Sequence, residues 1–294
     1  MTLARRFPRE TLWAYAFIAP PFIGFIVFAA GPMIASFLLG FTRYDVLTPP
    51  SFVGLDNYRQ LFTEDFFVAK TAVNTAFYLF GVPLGIAVSL GIAMLLHRVV
   101  RLRALFRTIY FVPAVCSVVA LALLWKWIYR GDYGLLNMTL SSLGVRDPPG
   151  WLTEPSLVKP SLIVMGIWTN LGFNVVVFLA ALQTVPRHLL EAAELDGANA
   201  WQRFRHVTFP IISPTTFFIA VTSTIGALQN FDQVYVMTRG GPSFASATFM
   251  LYVYITGFQY FQMGYASALA WLLAIVVLLV TWAQFAFAKR WVHE

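Results

Sequence analysis

The sequence predicts an all-α, polytopic membrane protein with six transmembrane helices. Of its 294 residues, 59% are hydrophobic and only 11% are charged, whereas a soluble domain carries about 25% charged residues. This leaves too little charge to keep the surface of a soluble globule of this size in water. Six apolar runs reach the length of about 20 residues that crosses a bilayer, at about 12–38, 72–96, 107–129, 161–183, 214–234 and 264–287.

The first apolar run begins like a secretory signal peptide, because Arg5, Arg6 and Arg9 precede it. Its apolar stretch is longer than the core of a signal peptide. No cleavage pattern of small residues stands out near Ala29. We therefore interpret this run as an uncleaved first span and treat residues 1–294 as a single transmembrane domain.

The distribution of charge predicts the orientation. Six spans place both termini on one side of the membrane. With a cytoplasmic N-terminus, the inner segments hold 12 basic and five acidic residues, and the outer segments hold eight of each. An excess of lysine and arginine marks cytoplasmic segments. Both termini are therefore expected in the cytoplasm, and the net charge of +7 is explained without nucleic-acid binding.

Motifs for catalysis and nucleotide binding are missing from the sequence. No lysine follows a glycine, so a P-loop is excluded, and G-x-S-x-G, H-E-x-x-H and C-x-x-C do not occur. Cys116 is the single cysteine, which excludes an intrachain disulfide, and the four histidines are spread over separate segments. The sequence predicts neither an enzyme nor a resident metal or cofactor.

Acidic residues avoid the middle of the predicted spans, and Asp232 comes closest, at an outer boundary. Carriers driven by protons or sodium usually bury carboxylates near the membrane midplane. A transporter with this pattern is expected to take its energy from another chain. A self-contained secondary carrier or channel remains the alternative.

The inner loop at about 184–212 is the most informative segment. Pro186 is placed in the first turn of a short helix, Gly197 ends or bends that helix, and a second helical stretch is expected to end before Pro210. Apolar residues recur every three or four positions and predict one stripe along the membrane, made of Leu190, Ala193, Gly197, Trp201 and Phe204. From the residues alone, a helix lying in the lipid interface is as good an interpretation as a docking site.

Part of this loop, Glu191-Ala-Ala-x-x-Asp196-Gly197-Ala198 with Pro210 further on, resembles the EAA loop of inner-membrane permease subunits in binding-protein-dependent ABC importers. Three further stretches resemble the carbohydrate branch of MalF- and UgpA-like subunits: Phe52-Val-Gly-Leu-Asp-Asn-Tyr58, Gly240-Gly241-Pro242 and Gly264-Tyr-Ala-Ser-Ala268. The resemblance covers nearly the whole chain. Phe209 departs from the pattern, which usually has leucine before the proline.

The resemblance implies a MetI-like importer permease fold in a bacterial or archaeal cytoplasmic membrane. It implies a second permease subunit, expected to form a heterodimer, two copies of an ABC ATPase that binds ATP and Mg, and a periplasmic or lipid-anchored solute-binding protein. In such importers the EAA loop forms a coupling helix that docks on the ATPase. Carried over, the coupling residues are Glu191, Ala192, Ala193, Asp196 and Gly197, and their movement would switch the spans between outward- and inward-facing states.

Polar residues in the fourth and fifth spans are candidates for a substrate pathway. Such residues usually face the interior of a helix bundle, although hydrogen bonding between helices explains any single one equally well. The candidates are Gly172, Asn174, Ser223, Gln229, Asn230 and Gln233, of which the resemblance favours Gly172, Asn174, Ser223 and Asn230. A neutral polar lining suits a mono- or oligosaccharide, or a related polyol or glycoside, better than a phosphate ester. Glycerol phosphate is kept as an alternative substrate.

Overall fold

The structure, a computed structural model, describes residues 9–98, 110 and 112–292. Several charges on which the predicted orientation depends lie outside the described residues, namely Arg5, Arg6, Arg101, Arg103, Arg107 and Glu294. The described residues form a predominantly helical chain with one two-stranded antiparallel hairpin.

The elements follow one another along the chain as a series of helices with few extended segments. They are α1 Arg9–Phe25, a π-turn Ile26–Ala30, α2 Gly31–Leu39, β1 Thr42–Arg43, β2 Ser51–Phe52, α3 Asp56–Thr63, α4 Phe66–Tyr78, α5 Gly81–Arg98, α6 Val118–Ile128, α7 Leu135–Ser142, α8 Val158–Gln183, α9 Arg187–Leu195, α10 Ala200–Arg203, a π-turn Phe204–Thr208, α11 Phe209–Leu228, α12 Asp232–Met237, α13 Phe249–Tyr254, a π-turn Ile255–Gln259 and α14 Met263–Ala288.

Five helical stretches among the described residues are long and apolar enough to cross a membrane. They are Trp13–Leu39, Phe66–His97, Val158–Gln183, Ala200–Leu228 and Met263–Ala288, and each overlaps one predicted span. The predicted third span, 107–129, begins outside the described residues. Its described part contains the apolar helix Val118–Ile128, which is too short to cross a bilayer alone, so this third span stays a prediction.

The structure corrects the expectations for the fifth span and the loop before it. The helical stretch begins at Ala200 and runs through Pro210 to Leu228, whereas the sequence placed the span at 214–234. The widened π-turn Phe204–Thr208 puts Pro210 in the first turn of α11, where a missing backbone N–H is tolerated. At the other end the helix stops at Gln229, and α12 is a separate short helix.

The chain forms two compact units. The first comprises residues 1–64 and 253–272. In it, the buried Asn57 side chain donates hydrogen bonds to the carbonyl oxygens of Gly40 and Thr42, both at 2.9 Å. Gly264 lies so close to β1 that an added Cβ would be 2.0 Å from the Thr42 carbonyl oxygen. Two of the stretches that carry the family resemblance, around Asn57 and Gly264, therefore meet at one hairpin.

The second unit comprises residues 65–252 and 273–294 and contains the main apolar core. Phe178, Ile212 and Ile219 are fully buried at its centre, between α5, α8 and the first half of α11. Gly81 permits close packing of α5 against α8, because an added Cβ would come within 3.0 Å of Ile163. Small residues at such positions let membrane helices approach closely.

One polar face of α4 holds the segment that contains the predicted Gly240-Gly241-Pro242 motif. Lys70, Asn74 and Tyr78 are spaced four residues apart and therefore lie on one helix face. Lys70 Nζ donates to the Ser243 carbonyl oxygen at 2.7 Å, Asn74 Nδ2 to those of Phe244 and Ala247 at 2.9 and 3.1 Å, and the Tyr78 hydroxyl to that of Ser246 at 3.0 Å. This segment is thus fixed to the helix that leads into the cavity described next.

Candidate functional site

A cavity of about 640 Å³ lies within the second unit. Its walls are formed by the junction of α4 and α5, residues 113–121, the middle of α8, the last turns of α11 and the segment 229–233 that follows it. The end of α11 at Gln229 matters here, because the non-helical backbone after it turns polar side chains toward the cavity. Irregular backbone at membrane depth is tolerated only where it is buried or lines such a space.

The structure brings most of the predicted pathway residues together at this cavity. Asn174, Ser223, Gln229, Asn230 and Gln233 line it. Gly172 is buried in α8 and is not among the lining residues. The grouping was predictable from the polar character of these residues, whereas the position of Gly172 depends on the rotation of α8 about its axis.

Two amide side chains at the cavity are held by backbone carbonyl groups. Gln233 Nε2 donates to the carbonyl oxygen of Leu162 at 2.5 Å, and Asn170 Nδ2 donates to that of Gly166 at 2.8 Å. Each amide therefore uses a donor to fix its own orientation. Its side-chain oxygen is left to accept a hydrogen bond from a hydroxyl group in the cavity.

Small and aliphatic residues, three aromatic rings and neutral polar groups make up the rest of the lining. Tyr78, Phe173 and Phe231 contribute rings, and Phe173 is 48% exposed. Among the described lining residues Asp232 is the only one with a charged side chain, and no lysine or arginine is present. Rings next to amides and hydroxyls form a surface that combines apolar contact with hydrogen bonds and offers no cation for an anionic group.

The loop predicted to couple the protein to a partner is a helix, a sharp turn and a second helix. Pro186 stands at the N-cap of α9 and not in its first turn. Gly197 has φ +82°, and the N–H groups of Gly197 and Ala198 donate to the carbonyl oxygens of Glu194 and Ala193 at 3.0 and 2.9 Å. This pair of bonds is a Schellman motif, which requires a left-handed residue and therefore favours glycine.

One side-chain interaction caps the second helix of the loop, and another joins it to the first helix. Asn199 and Gln202 form a reciprocal capping box at the start of α10. Arg203 Nη1 lies 2.5 Å from Glu194 Oε2. The ion pair spans the turn at Gly197 and joins α9 to the segment that continues into α11.

The five predicted coupling residues differ in exposure. Glu191, Ala192, Asp196 and Gly197 are exposed, and Ala193 is half-buried. Ala193, Asp196 and Gly197 border a shallow depression of about 360 Å³. The single apolar stripe expected from the spacing is not present, because the turn at Gly197 interrupts the helix. Leu190 and Phe204 pack against the core, whereas Trp201 is 65% exposed.

The described part of the chain offers no site for a metal ion. No group of three or more His, Cys, Asp or Glu side chains is suitably arranged within residues 9–98, 110 and 112–292. The cavity and the coupling loop are therefore the two features whose geometry bears on function.

Long apolar helices and a cavity with polar lining are the features of a membrane permease. Residues 81–293 match the family described as the inner membrane component of binding-protein-dependent transport systems. The chain belongs to this family.

Named relatives resemble the chain over nearly its full length. It is 38% identical over 297 residues to the probable ABC transporter permease protein YesP of Bacillus subtilis, covering 100% of this chain and 96% of the relative. It is 34% identical over 282 residues to the lactose transport system permease protein LacF of Rhizobium radiobacter, covering 94% of each.

A solved structure also matches the fold. It is the crystal structure of a bacterial alginate ABC transporter in complex with an alginate pentasaccharide-bound periplasmic protein. The TM-score is 0.85 at 25% sequence identity, and the match covers 96% of each chain.

Proposed function

We propose that this chain is the permease subunit of an ATP-driven importer that moves a mono- or oligosaccharide, or a related polyol or glycoside, across the cytoplasmic membrane. The observation that carries the proposal is the 640 Å³ cavity, whose lining combines aromatic rings with neutral hydrogen-bonding groups. Sugars present hydroxyl edges and apolar ring faces, and both are matched by such a lining. The name of the lactose permease supports this substrate class, and the alginate transporter, whose cargo is an acidic polysaccharide, supports a saccharide without supporting a neutral one.

The chemistry of the cavity disfavours the two alternatives. A phosphate ester such as glycerol phosphate is usually bound by arginine or lysine, and the described lining contains neither. A carrier driven by an ion gradient usually relies on a buried carboxylate. Among the lining residues that the structure describes, Asp232 is the only acidic one, and it is exposed.

We place the coupling to ATP at the loop that carries Glu191, Ala192, Ala193, Asp196 and Gly197. The chain has no P-loop, so nucleotide binding falls to a separate ATPase. Three properties suit the loop to receive that subunit: an exposed first helix, a turn fixed by Gly197, and a rigid connection into α11. Closure of the ATPase would move α11, which lines the cavity, and so switch the permease between outward- and inward-facing states.

The complete importer would contain this permease in a heterodimer with a second one, two copies of an ABC ATPase and a periplasmic or lipid-anchored solute-binding protein. The alginate transporter structure, with its bound periplasmic protein, supports the last of these partners. ATP and Mg would bind to the ATPase, and this chain would hold no cofactor. We place both termini in the cytoplasm, with α9 and α10 on the cytoplasmic side, in a bacterial or archaeal cell.

Identification of co-purifying proteins tests the coupling assignment. The tagged chain is extracted in mild detergent and its partners are identified by mass, for wild type and for Glu191→Ala combined with Gly197→Pro. Gly144→Pro is the matched control, because Gly144 also has a positive φ, +94°, and an added Cβ there meets nothing within 4 Å. A P-loop ATPase that accompanies wild type and the control but not the loop variant supports the proposal. Retention of the ATPase by the loop variant contradicts the role of the loop.

Uptake into proteoliposomes tests the substrate class and the energy source. The complex is supplied with its binding protein and offered radiolabelled lactose, arabino-oligosaccharides or glycerol 3-phosphate. ATP-dependent uptake of a neutral saccharide supports a sugar importer, and uptake of glycerol 3-phosphate in preference contradicts it. A chain that purifies alone and still transports solute under an ion gradient would be a secondary carrier.

A further inference from the structure

A continuous series of ring contacts connects the coupling loop with the sixth span inside the second unit. It begins on α10, passes along the first turns of α11, crosses to the residues that follow α14 and returns onto α14 itself. The ring centroids are separated by 5.5 Å for Trp201–Phe204, 6.0 Å for Phe204–Phe209, 6.2 Å for Phe209–Trp291, 6.1 Å for Trp291–Phe217 and 5.0 Å for Phe217–Phe285.

Trp291, three residues after the end of α14, contacts two rings of α11. Its ring stacks on Phe209 at an interplanar angle of 16° and meets Phe217 edge-on at 79°. Phe209 and Phe217 are eight residues apart on α11 and therefore share a helix face. Phe217 also meets Phe285 of α14 at 89°. Stacked and edge-on arrangements are the geometries that aromatic pairs prefer.

A second contact ties the same two helices together further along. Gln284 Nε2 donates to Thr224 Oγ1 at 2.9 Å. Thr224 lies 15 residues after Phe209, which corresponds to about 22 Å along a helix. On α14 this bond and the Phe217 contact fall on the neighbouring residues Gln284 and Phe285, whereas Phe209 contacts Trp291 just beyond the end of the helix.

Phe209 is also the position at which the sequence departs from the EAA pattern, where leucine usually precedes the proline. Leucine would fill similar space but has no ring to stack on an indole. The stacking therefore supplies a reason for phenylalanine at this position. Phe209 directly follows the π-turn Phe204–Thr208 and is the first residue of α11, so it receives any displacement of the coupling loop before the rest of the span.

We propose that Phe209 and Trp291 are a positioning pair that makes the sixth span follow the coupling loop. The proposal rests on the coupling role of the loop given above and adds a route by which the movement reaches α14. Neither residue lines the cavity. Their effect on transport is therefore exerted through the position of the spans and not through contact with the solute.

Cys116 provides a probe that does not require the transported solute to be known. It is the single cysteine of the chain, it is exposed, and it lines the cavity. The wild-type complex, with its ATPase, is reconstituted and treated with a maleimide, and labelling of this chain is followed by mass. We expect the labelling rate to change when ATP and vanadate are added, because closure of the ATPase changes access to the cavity.

The variants are Trp291→Ala, Trp291→Phe, and the matched control Trp282→Ala, a tryptophan within α14 that is 72% exposed. One aromatic pair is worth about a two- to tenfold shift in an equilibrium. Trp291→Ala is therefore expected to reduce the ATP-dependent change in labelling by about two- to tenfold while the ATPase still co-purifies. Trp291→Phe and Trp282→Ala are expected to behave like wild type.

A double-mutant cycle separates a pair from two independent residues. Phe209→Leu, Trp291→Leu and the double variant are compared in the same assay. If the two rings act together, the double variant loses no more of the ATP-dependent change in labelling than the more impaired of the two single variants. The proposal is overturned if the losses of the two single variants multiply in the double variant. It is also overturned if Trp291→Ala shows the same ATP-dependent change in labelling as wild type.

If the proposed function is wrong and the chain is not coupled to an ATPase, the same assay gives a different result. In that case the wild-type complex itself shows no nucleotide-dependent labelling and no associated ATPase. Loss of the response only in Trp291→Ala, with the ATPase retained, is the outcome that supports the positioning pair.

Discussion

Gly264→Ala is the substitution whose effect can be worked out most directly from the structure. The added Cβ would lie 2.0 Å from the carbonyl oxygen of Thr42, whereas Cβ atoms essentially never come closer than 3.0 Å to a neighbour. β1 must therefore retreat by at least about 1 Å. That movement strains the hydrogen bond from Gly264 N–H to the Tyr44 carbonyl oxygen, which is 3.2 Å long, and the bond from Asn57 to Thr42.

The expected cost combines overpacking with weakened hydrogen bonds. Overpacking costs about 1–3 kcal/mol, and each lost hydrogen bond adds about 1 kcal/mol, so the variant should lose about 2–5 kcal/mol. For a chain of this size, each kcal/mol lowers the unfolding midpoint by about 2–4 °C. The apparent midpoint should therefore fall by about 4–20 °C.

The assay is thermal unfolding of the purified protein in detergent, followed by size-exclusion chromatography of the fraction that stays monodisperse after heating. Gly91→Ala is the matched control, because a Cβ added at this helical glycine meets nothing within 4 Å. The control should unfold at the wild-type temperature or slightly above it. An unchanged midpoint in Gly264→Ala would refute the close packing of Gly264 against β1.

Two further substitutions test the first unit and the coupling loop. Asn57→Ala removes a buried side chain that donates two hydrogen bonds and should cost about 2–3 kcal/mol, read as a lower unfolding midpoint; the same midpoint as wild type would contradict its structural role. Arg203→Glu should weaken ATP-dependent transport by breaking the ion pair with Glu194, and the exchange Glu194→Arg with Arg203→Glu should restore part of it. Because such ion pairs contribute about 1 kcal/mol or less, we expect the uptake rate to fall severalfold in Arg203→Glu. If the charge exchange does not restore uptake, the two residues act separately.

The coupling loop contains one helix end that the sequence predicted correctly and one that it predicted wrongly. The position of Gly197 indicated the end of a helix, and the structure has a left-handed glycine in a Schellman motif there. Pro210 indicated a helix end, and this was wrong because the π-turn before it places the proline in a first helical turn. A local rule for proline cannot detect a widened turn, since that turn depends on how the loop packs against the core.

At the cavity, too, some features were predictable from the sequence and others depend on helix packing. Polar residues in apolar spans pointed to Asn174, Ser223 and Asn230, because such groups avoid lipid. The tertiary structure decided that Gly172 is buried without lining the cavity and that the helix of the fifth span ends at Gln229. The rotation of a helix about its axis is set by all of its neighbours, which a hydropathy pattern does not specify.

By itself the sequence determined that the chain is helical and built for a bilayer, that it lacks a nucleotide-binding motif, and which loop and family motifs distinguish it. These features are local, since they depend on composition, short spacing and the length of apolar runs. Only the tertiary structure decided that Asn57 and Gly264 meet at one hairpin and that Phe209 stacks on Trp291. Such contacts join residues far apart in the chain, and they arise from the packing of whole helices rather than from any local signal.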